Sequence, residues 1–300
     1  MNLHEYLQEK AAIVNKELEQ LMPAKDRYPA TIHQAMRYSI FAGGKRLRPI
    51  LCLAAAEAVS KEAAQFPLLP AACALEMLHT YSLIHDDLPA MDNDDYRRGK
   101  LTNHKVFGEG IAVLAGDALL TYGFEVLLRF ARQFPDKERA LQVVEEIAIA
   151  IGTEGMIGGQ VVDIESEGKK EFALSEANLA YIHTHKTGAL FRTAIRAGAI
   201  LAGAREEELA ALTLYAEKFG LAFQITDDLL DITGEQTVLG KPIGSDAKNA
   251  KLTYPALYGF EQAKILAKAT IEEAVQALAE LPGRTEPLQL LVRYLEKRVS

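Results

Sequence analysis

Two clusters of aspartates mark where this chain could do chemistry. The first reads His85-Asp86-Asp87-Leu88-Pro89-Ala90-Met91-Asp92-Asn93-Asp94-Asp95; the second, 141 residues further on, reads Gln224-Ile225-Thr226-Asp227-Asp228-Leu229-Leu230-Asp231. Carboxylates this crowded repel one another unless cations neutralise them. Oxygen ligands with no cysteine nearby select hard cations, magnesium above all, and Mg²⁺ shares its shell between one or two carboxylates and substrate phosphates. The bland reading of one acidic run is a solvated loop or helix end; two runs set in apolar sequence weaken it. Other metal readings have less support. His85-Asp86 has the form of a phosphohydrolase dyad but stands alone, and Glu76-Met77-Leu78-His79 is one Glu-x-x-His where a di-iron bundle needs two.

Helices must position these groups. Apolar residues recur at spacings of three and four, as at Leu209, Leu212, Tyr215 and Phe219, and alternating strand patterns are scarce. Gly and Pro breakers cut the chain into roughly ten or more helices. No linker is long enough to mark a boundary, so the expectation is a single all-α domain, 1–300. In the second cluster Gln224, Asp227, Asp228 and Asp231 fall at i, i+3, i+4 and i+7, one stripe of a helix whose neighbours Phe223, Leu229 and Leu230 are apolar. A polar stripe on a buried helix must face a cavity, a partner or a metal. In the first cluster the separation of Asp86 from Asp92 fits no ideal helix face, but Pro89 breaks the ladder and lets Asp92 turn back towards Asp86. His79 precedes Asp86 by two turns on the same face.

Cations accompany both clusters. Gly43-Gly44-Lys45-Arg46-Leu47-Arg48-Pro49 places three of them just before a helix start, with glycines that allow backbone approach, and reads as an anion cradle. Arg97-Arg98-Gly99 follows the first cluster and can balance the aspartates or clamp phosphate oxygens. His183-Thr184-His185-Lys186-Thr187-Gly188 adds a cation and a hydroxyl; the bland alternative for its histidines is a surface helix. Lys241 stands in a Gly/Pro-rich loop beyond the second cluster, and the glycines of 155–159 read as helix-packing positions.

The bulk numbers bound the class. At 300 residues, 49% hydrophobic and 25% charged, the chain reads as a soluble globular protein. A net charge of −8 argues against a nucleic-acid binder. Cys52 and Cys73 sit in Ala/Leu-rich runs and read as buried free thiols of a reducing, cytoplasmic setting. No stretch approaches 18 uncharged apolar residues, so no membrane span is expected.

Taken in order, GGKRLRP at 43–49, HTYSLIHDDLPAMDNDDYRRGKLTNHK at 79–105, GDALLTYGFE at 116–125, GMIGGQVVDI at 155–164, HTHKTGALFR at 183–192, FQITDDLLDITG at 223–234 and LGKPIGSD at 239–246 resemble the trans-prenyltransferase (polyprenyl synthase) family. Tyr96 departs from the family's usual leucine. The resemblance implies an all-α bundle around a central cavity, the isoprenoid synthase fold, usually a homodimer. It implies Mg²⁺, about three ions per site, on Asp86, Asp92 and Asp227, with Asp87, Asp228 and Asp231 in support. It implies that Gly44, Lys45, Arg48, His79 and Arg98 bind isopentenyl diphosphate, and that Arg97, Lys186, Thr187, Gln224 and Lys241 bind the allylic diphosphate and assist its ionisation. Tyr81, five residues before Asp86, together with Ser82, is implied to limit chain length: an aromatic there and the widened Pro89-Ala90 motif match bacterial enzymes that stop at farnesyl diphosphate. The alternatives are a geranylgeranyl diphosphate synthase, a terpene cyclase, which needs no cradle at Lys45 and Arg48, and a non-catalytic regulatory subunit, which tends to lose one aspartate cluster.

Overall fold

The computed structural model describes residues 1–62, 67–166, 176–233 and 253–297. Among them are fourteen α-helices and, as the only strands, the two-residue β1 (Tyr96–Arg97) and β2 (Lys100–Leu101). The all-α class expected from the periodicity is the one observed. The chain forms two compact units, one of Met1–Leu3, Leu51–Phe66 and Glu145–Ser300, the other of His4–Ile50 and Pro67–Val144.

The unit of His4–Ile50 and Pro67–Val144 holds most of α1 (Leu3–Leu21), α2 (Ala30–Ile40), the start of α3 (Leu47–Val59), α4 (Leu69–Asp86), α5 (Asn103–Phe107), α6 (Glu109–Gln133) and the first half of α7 (Lys137–Ile151). Helix α4 is apolar nearly all round, and Ala71 through Leu78 are buried without a break. Such a helix belongs at the centre of a core. Helices α6 and α2 pack on it, α6 burying Ala115, Leu119, Val126 and Leu127. By length and composition two segments could cross a bilayer: α6, whose most apolar window has a mean hydropathy of 1.7, and Lys137–Ser166, at 1.3. The expectation of no span counted only unbroken uncharged runs, and a hydropathy window tolerates a charge or two. In α6 the buried apolar side chains serve packing within the protein.

The other unit carries the remainder of α3 and α7, then α8 (Met156–Ser166), α9 (Glu176–Ile182), a π-helical segment (His183–Gly188), α10 (Ala189–Leu201), α11 (Glu206–Thr233), α12 (Tyr254–Tyr258), α13 (Phe260–Ala277) and α14 (Glu286–Lys297). Glu208 folds back onto the N-terminus of α11 and accepts from Arg205 N at 2.9 Å, one half of a capping box. Of the apolar repeat of the sequence, Leu212, Tyr215 and Phe219 are fully buried and Leu209 is half-buried. Farther along, Ile225 and Leu229 join Leu179, Tyr254, Ala263 and Ala267 in a core cluster. This burial fixes the rotation of α11 and so decides where its aspartate stripe points. The two cysteines are free and buried, as expected, and burial pushes the Cys52 thiol up to about 12.

Candidate active site

The first aspartate group forms where α4 runs out. Asp86 is its last residue and Asp87 its cap. The chain then turns: Leu88 N donates to His85 O, and Asp92 N donates to Asp86 O at 2.9 Å. The return of Asp92 to Asp86 suggested by Pro89 is therefore present in the backbone. Asp87 is only 3% exposed and is gripped by Arg97, whose Nε donates to Oδ1 at 2.7 Å and Oδ2 at 2.8 Å. Asp94 stands 3.6 Å from the same guanidinium. In this structure Arg97 thus faces aspartates.

A two-residue hairpin turn joins β1 to β2. Its residues Arg98 (φ 54°) and Gly99 (φ 74°) both have the positive φ that tight hairpins require. The turn sends Arg98 to the glycine loop, where it donates to Gly43 O. Gly44 has φ +122°, and a β-carbon on it would overlap the Arg98 guanidinium. The conformation favours glycine there, and a β-carbon would make the Arg98 side chain move. His79 is held well below the ordinary imidazole range, first by burial and then by the positive charges of Arg48, Arg98, Arg97 and Arg46, so it is neutral. Burial lowers Arg48 to about 10, opposed by Glu76. Lys45 is exposed at the loop's tip. Arg46, grouped with these cations in the sequence, is different: it is buried and turned inward onto protein acceptors.

On α11 the expected stripe is realised. Gln224 Nε2 donates to Asp228 Oδ1 at 2.7 Å, and Tyr254 N donates to Asp228 Oδ2 at 2.9 Å. Asp228, 3% exposed, thus bonds protein groups through both oxygens and holds Gln224 in place. Asp227 and Asp231 are half-buried on the same face. The Thr187 hydroxyl donates to Gln224 Oε1 at 3.3 Å, joining the π-helical segment to α11. Lys186 Nζ donates to Asp163 Oδ2 at 2.5 Å. Asp163 had received no role from the sequence; its signal was a carboxylate one turn beyond Gly159 in the GMIGGQVVDI run. Lys241 and the 239–246 segment lie outside the described residues.

His183, for which a surface helix was the bland alternative, is buried and stacked on Tyr254, ring centroids 5.2 Å apart. The segment is π-helical, which surface-helix periodicity does not anticipate. Burial lowers the His183 pKa to about 4, despite the nearby negative charge of Asp163. Between about 4 and the unfolded value near 6.5 the unfolded chain binds a proton that the folded one refuses, so this histidine makes stability rise with pH. We expect His183→Gln to flatten urea-derived stability over that window by up to ~1.4 kcal/mol per pH unit. An unchanged slope would remove His183 from the acid response.

A cavity of about 670 Å³ in the same unit is lined by Glu146, Ala150, His183, Arg192, Arg196 and Tyr254, among others, but by none of the α11 aspartates. Four of its charges pair with one another, Arg196 with Glu146 at 2.7 Å and Arg192 with Glu217 at 3.6 Å. Among the described residues no three His, Cys, Asp or Glu side chains form a ready-made metal cage. Half-buried aspartates are hard oxygen donors, and they suit an ion that draws its other ligands from substrate and water.

A nearly all-helical chain, with aspartates at the end of one helix and along another, matches solved structures of the isoprenoid synthase fold. An apo FPP/GFPP synthase structure from Zymomonas mobilis matches at TM-score 0.85 and 36% identity, over 98% of both chains. The chain belongs to the polyprenyl synthetase family, whose model matches residues 29–286. It is 49% identical over 297 residues to a dimethylallyltranstransferase of Fischerella ambigua (strain UTEX 1903), covering 99% of this chain and 84% of the relative. It is 46% identical over 297 residues to a geranylgeranyl diphosphate synthase of Cyanophora paradoxa, covering 99% and 97%. Several plant relatives, at 46–48% identity, also carry the geranylgeranyl name. The chain is a prenyltransferase that elongates prenyl chains.

Proposed function

We propose that this prenyltransferase joins isopentenyl diphosphate head to tail to an allylic diphosphate, releasing diphosphate, and that residues 1–300 act as one catalytic domain. The observation that carries the reading is the turn binding Asp92 N to Asp86 O, which gathers two carboxylates beside the cationic set around neutral His79. Asp86, Asp92 and Asp227 would hold divalent cations, Mg²⁺ by ligand hardness and about three by family resemblance, which would neutralise the departing diphosphate. Lys186 and Arg97, with Lys241, bind the allylic diphosphate oxygens. Lys45, Arg48, His79 and Arg98, with the Gly44 backbone, hold isopentenyl diphosphate so that its double bond attacks the allylic carbon as the C–O bond breaks. The Thr187 hydroxyl and Gln224 amide, already bonded to each other, place oxygens to stabilise positive charge on that carbon. The proton lost in forming the new double bond passes to the released diphosphate. The test is incubation with labelled isopentenyl diphosphate, dimethylallyl or geranyl diphosphate and Mg²⁺. Absence of any lengthened chain overturns the reading.

Product length has two supports that differ. The names of the Cyanophora and plant relatives favour geranylgeranyl diphosphate, and this reading now leads over the farnesyl product expected from the sequence. One observation favours farnesyl: Tyr81 is buried on α4, its ring edge-on to His85 at 5.9 Å, and its hydroxyl has no hydrogen-bond partner among the described residues. A bulky ring about 7.5 Å along the helix from Asp86 would floor a channel for the growing chain. If so, wild type gives fifteen carbons and Tyr81→Ala shifts the products longer by at least one isoprene unit. Chromatography showing twenty carbons from both proteins removes Tyr81 as the ruler.

A homodimer is part of the proposal, supported by the exposed Leu114 (55%) and Leu128 (48%) on α6. The buried free thiols support a reducing, cytoplasmic setting.

A further inference from the structure

The sequence placed Arg46 among three cations of one loop and left Glu76 as half of an unused Glu-x-x-His. The structure joins these two leftovers. Arg46 Nη1 donates to Glu76 Oε1 at 2.9 Å, and the two side chains are 3% and 2% exposed. Three further bonds leave Arg46: Nε donates to Asn15 Oδ1 at 2.8 Å, Nη2 to Ile40 O at 2.7 Å and Nη1 again to Gly43 O at 3.3 Å. One planar guanidinium therefore ties the loop to α1, to the end of α2, to its own Gly43 and to α4. Arg46 does this from φ 51°, a conformation that a residue with a β-carbon keeps only where its surroundings dictate it.

The fan of bonds has a consequence for its neighbours. Lys45 and Arg48 flank Arg46 in the chain, and His79 lies one turn after Glu76 on α4. Fixing Arg46 on Glu76 fixes the register between the loop and the helix face that carries His79. Glu76 also places a negative charge within reach of Arg48 and Arg98, which lets a dense cationic group exist before any anion arrives.

We infer that Arg46 and Glu76 are positioning residues that set the Gly43–Arg46 loop and the first turn of α3 for isopentenyl diphosphate without touching it. This rests on the function proposed above. Arg46→Lys keeps the charge but loses the planar fork. It is expected to raise KM for isopentenyl diphosphate tenfold or more, while KM for the allylic diphosphate and kcat at saturation stay within twofold. A purely structural role would instead lower Tm and active fraction without separating the two KM values. Glu76→Gln, nearly isosteric, should move the same KM about threefold, by the value of a charge-assisted over a neutral hydrogen bond. Should Arg46→Lys fail to fold, the double variant Arg46→Met with Glu76→Met replaces the pair by apolar volume and should fold while showing the same split. A folded variant with wild-type KM for isopentenyl diphosphate, or with both KM values raised together, overturns the inference. Calorimetric binding of isopentenyl diphosphate alone separates this from the reaction itself. If wild type binds it and Arg46→Lys does not, yet neither condenses, the proposed reaction falls and the brace stands. If wild type does not bind it, both fall.

Discussion

Asp86→Ala and Asp227→Ala are each expected to lower kcat by at least 100-fold at saturating magnesium while leaving Tm within about 2 °C of wild type; 100-fold corresponds to ~2.7 kcal/mol of barrier. Both side chains are half-buried. Removing a carboxylate from a crowded acidic group relieves repulsion rather than leaving a hole. The loss should therefore appear in the barrier and not in the fold. Asp228 supplies the contrast. Its oxygens accept from Gln224 Nε2 and Tyr254 N and it is buried, so Asp228→Ala strands two donors at ~1–3 kcal/mol each. For a chain of this size that is a fall of roughly 2–4 °C in Tm per kcal/mol. The two profiles, activity lost with Tm kept and Tm lost with activity impaired, distinguish a metal-facing carboxylate from one that braces the helix. Near-wild-type kcat in either Asp86→Ala or Asp227→Ala would end the cation proposal.

That contrast shows what the sequence could and could not disclose. The stripe Gln224, Asp227, Asp228, Asp231 was readable because helical periodicity alone fixes which residues share a face. Which of them turns inward depends on Tyr254, separated from Asp228 by twenty-six residues, and no local pattern encodes a partner that distant. The same holds for Arg46. Its type suggested an anion ligand, but its role follows from Asn15, Ile40 and Glu76, which reach it from three helices. The return of Asp92 was legible because Pro89 forces a break within the motif itself. The π-helical segment was not, since one extra residue per turn leaves the composition of HTHKTG unchanged. The burial of His183 was not legible for that reason.

Gly159→Ala tests whether that segment is held from outside. A β-carbon on Gly159 would overlap the backbone nitrogen of Lys186 and stand 2.8 Å from its Cα and 2.9 Å from the carbonyl carbon of His185. These are backbone atoms, so no side chain can rotate away to relieve the overlap. Helix α8 must withdraw or the π-helical segment must shift. Either movement separates Asp163, one turn along α8, from Lys186 Nζ and disturbs the Thr187 to Gln224 hydrogen bond. A displacement of about 1 Å at groups that orient a reacting ligand costs on the order of 100-fold in rate, and overpacking adds ~1–3 kcal/mol of destabilisation. We therefore expect Gly159→Ala to lose about two decades of kcat, with KM for isopentenyl diphosphate unchanged. Gly110→Ala in the first turn of α6, where a β-carbon meets nothing within 4 Å, should be neutral or stabilising by up to ~1 kcal/mol. π-Helical turns tend to gather at functional sites, and here the turn sits where Gly159 lets one helix approach another's backbone closely. If Gly159→Ala kept full kcat with a lowered Tm, α8 would be packing alone, and the placement of Lys186 and Thr187 would have to come from α10 and α11.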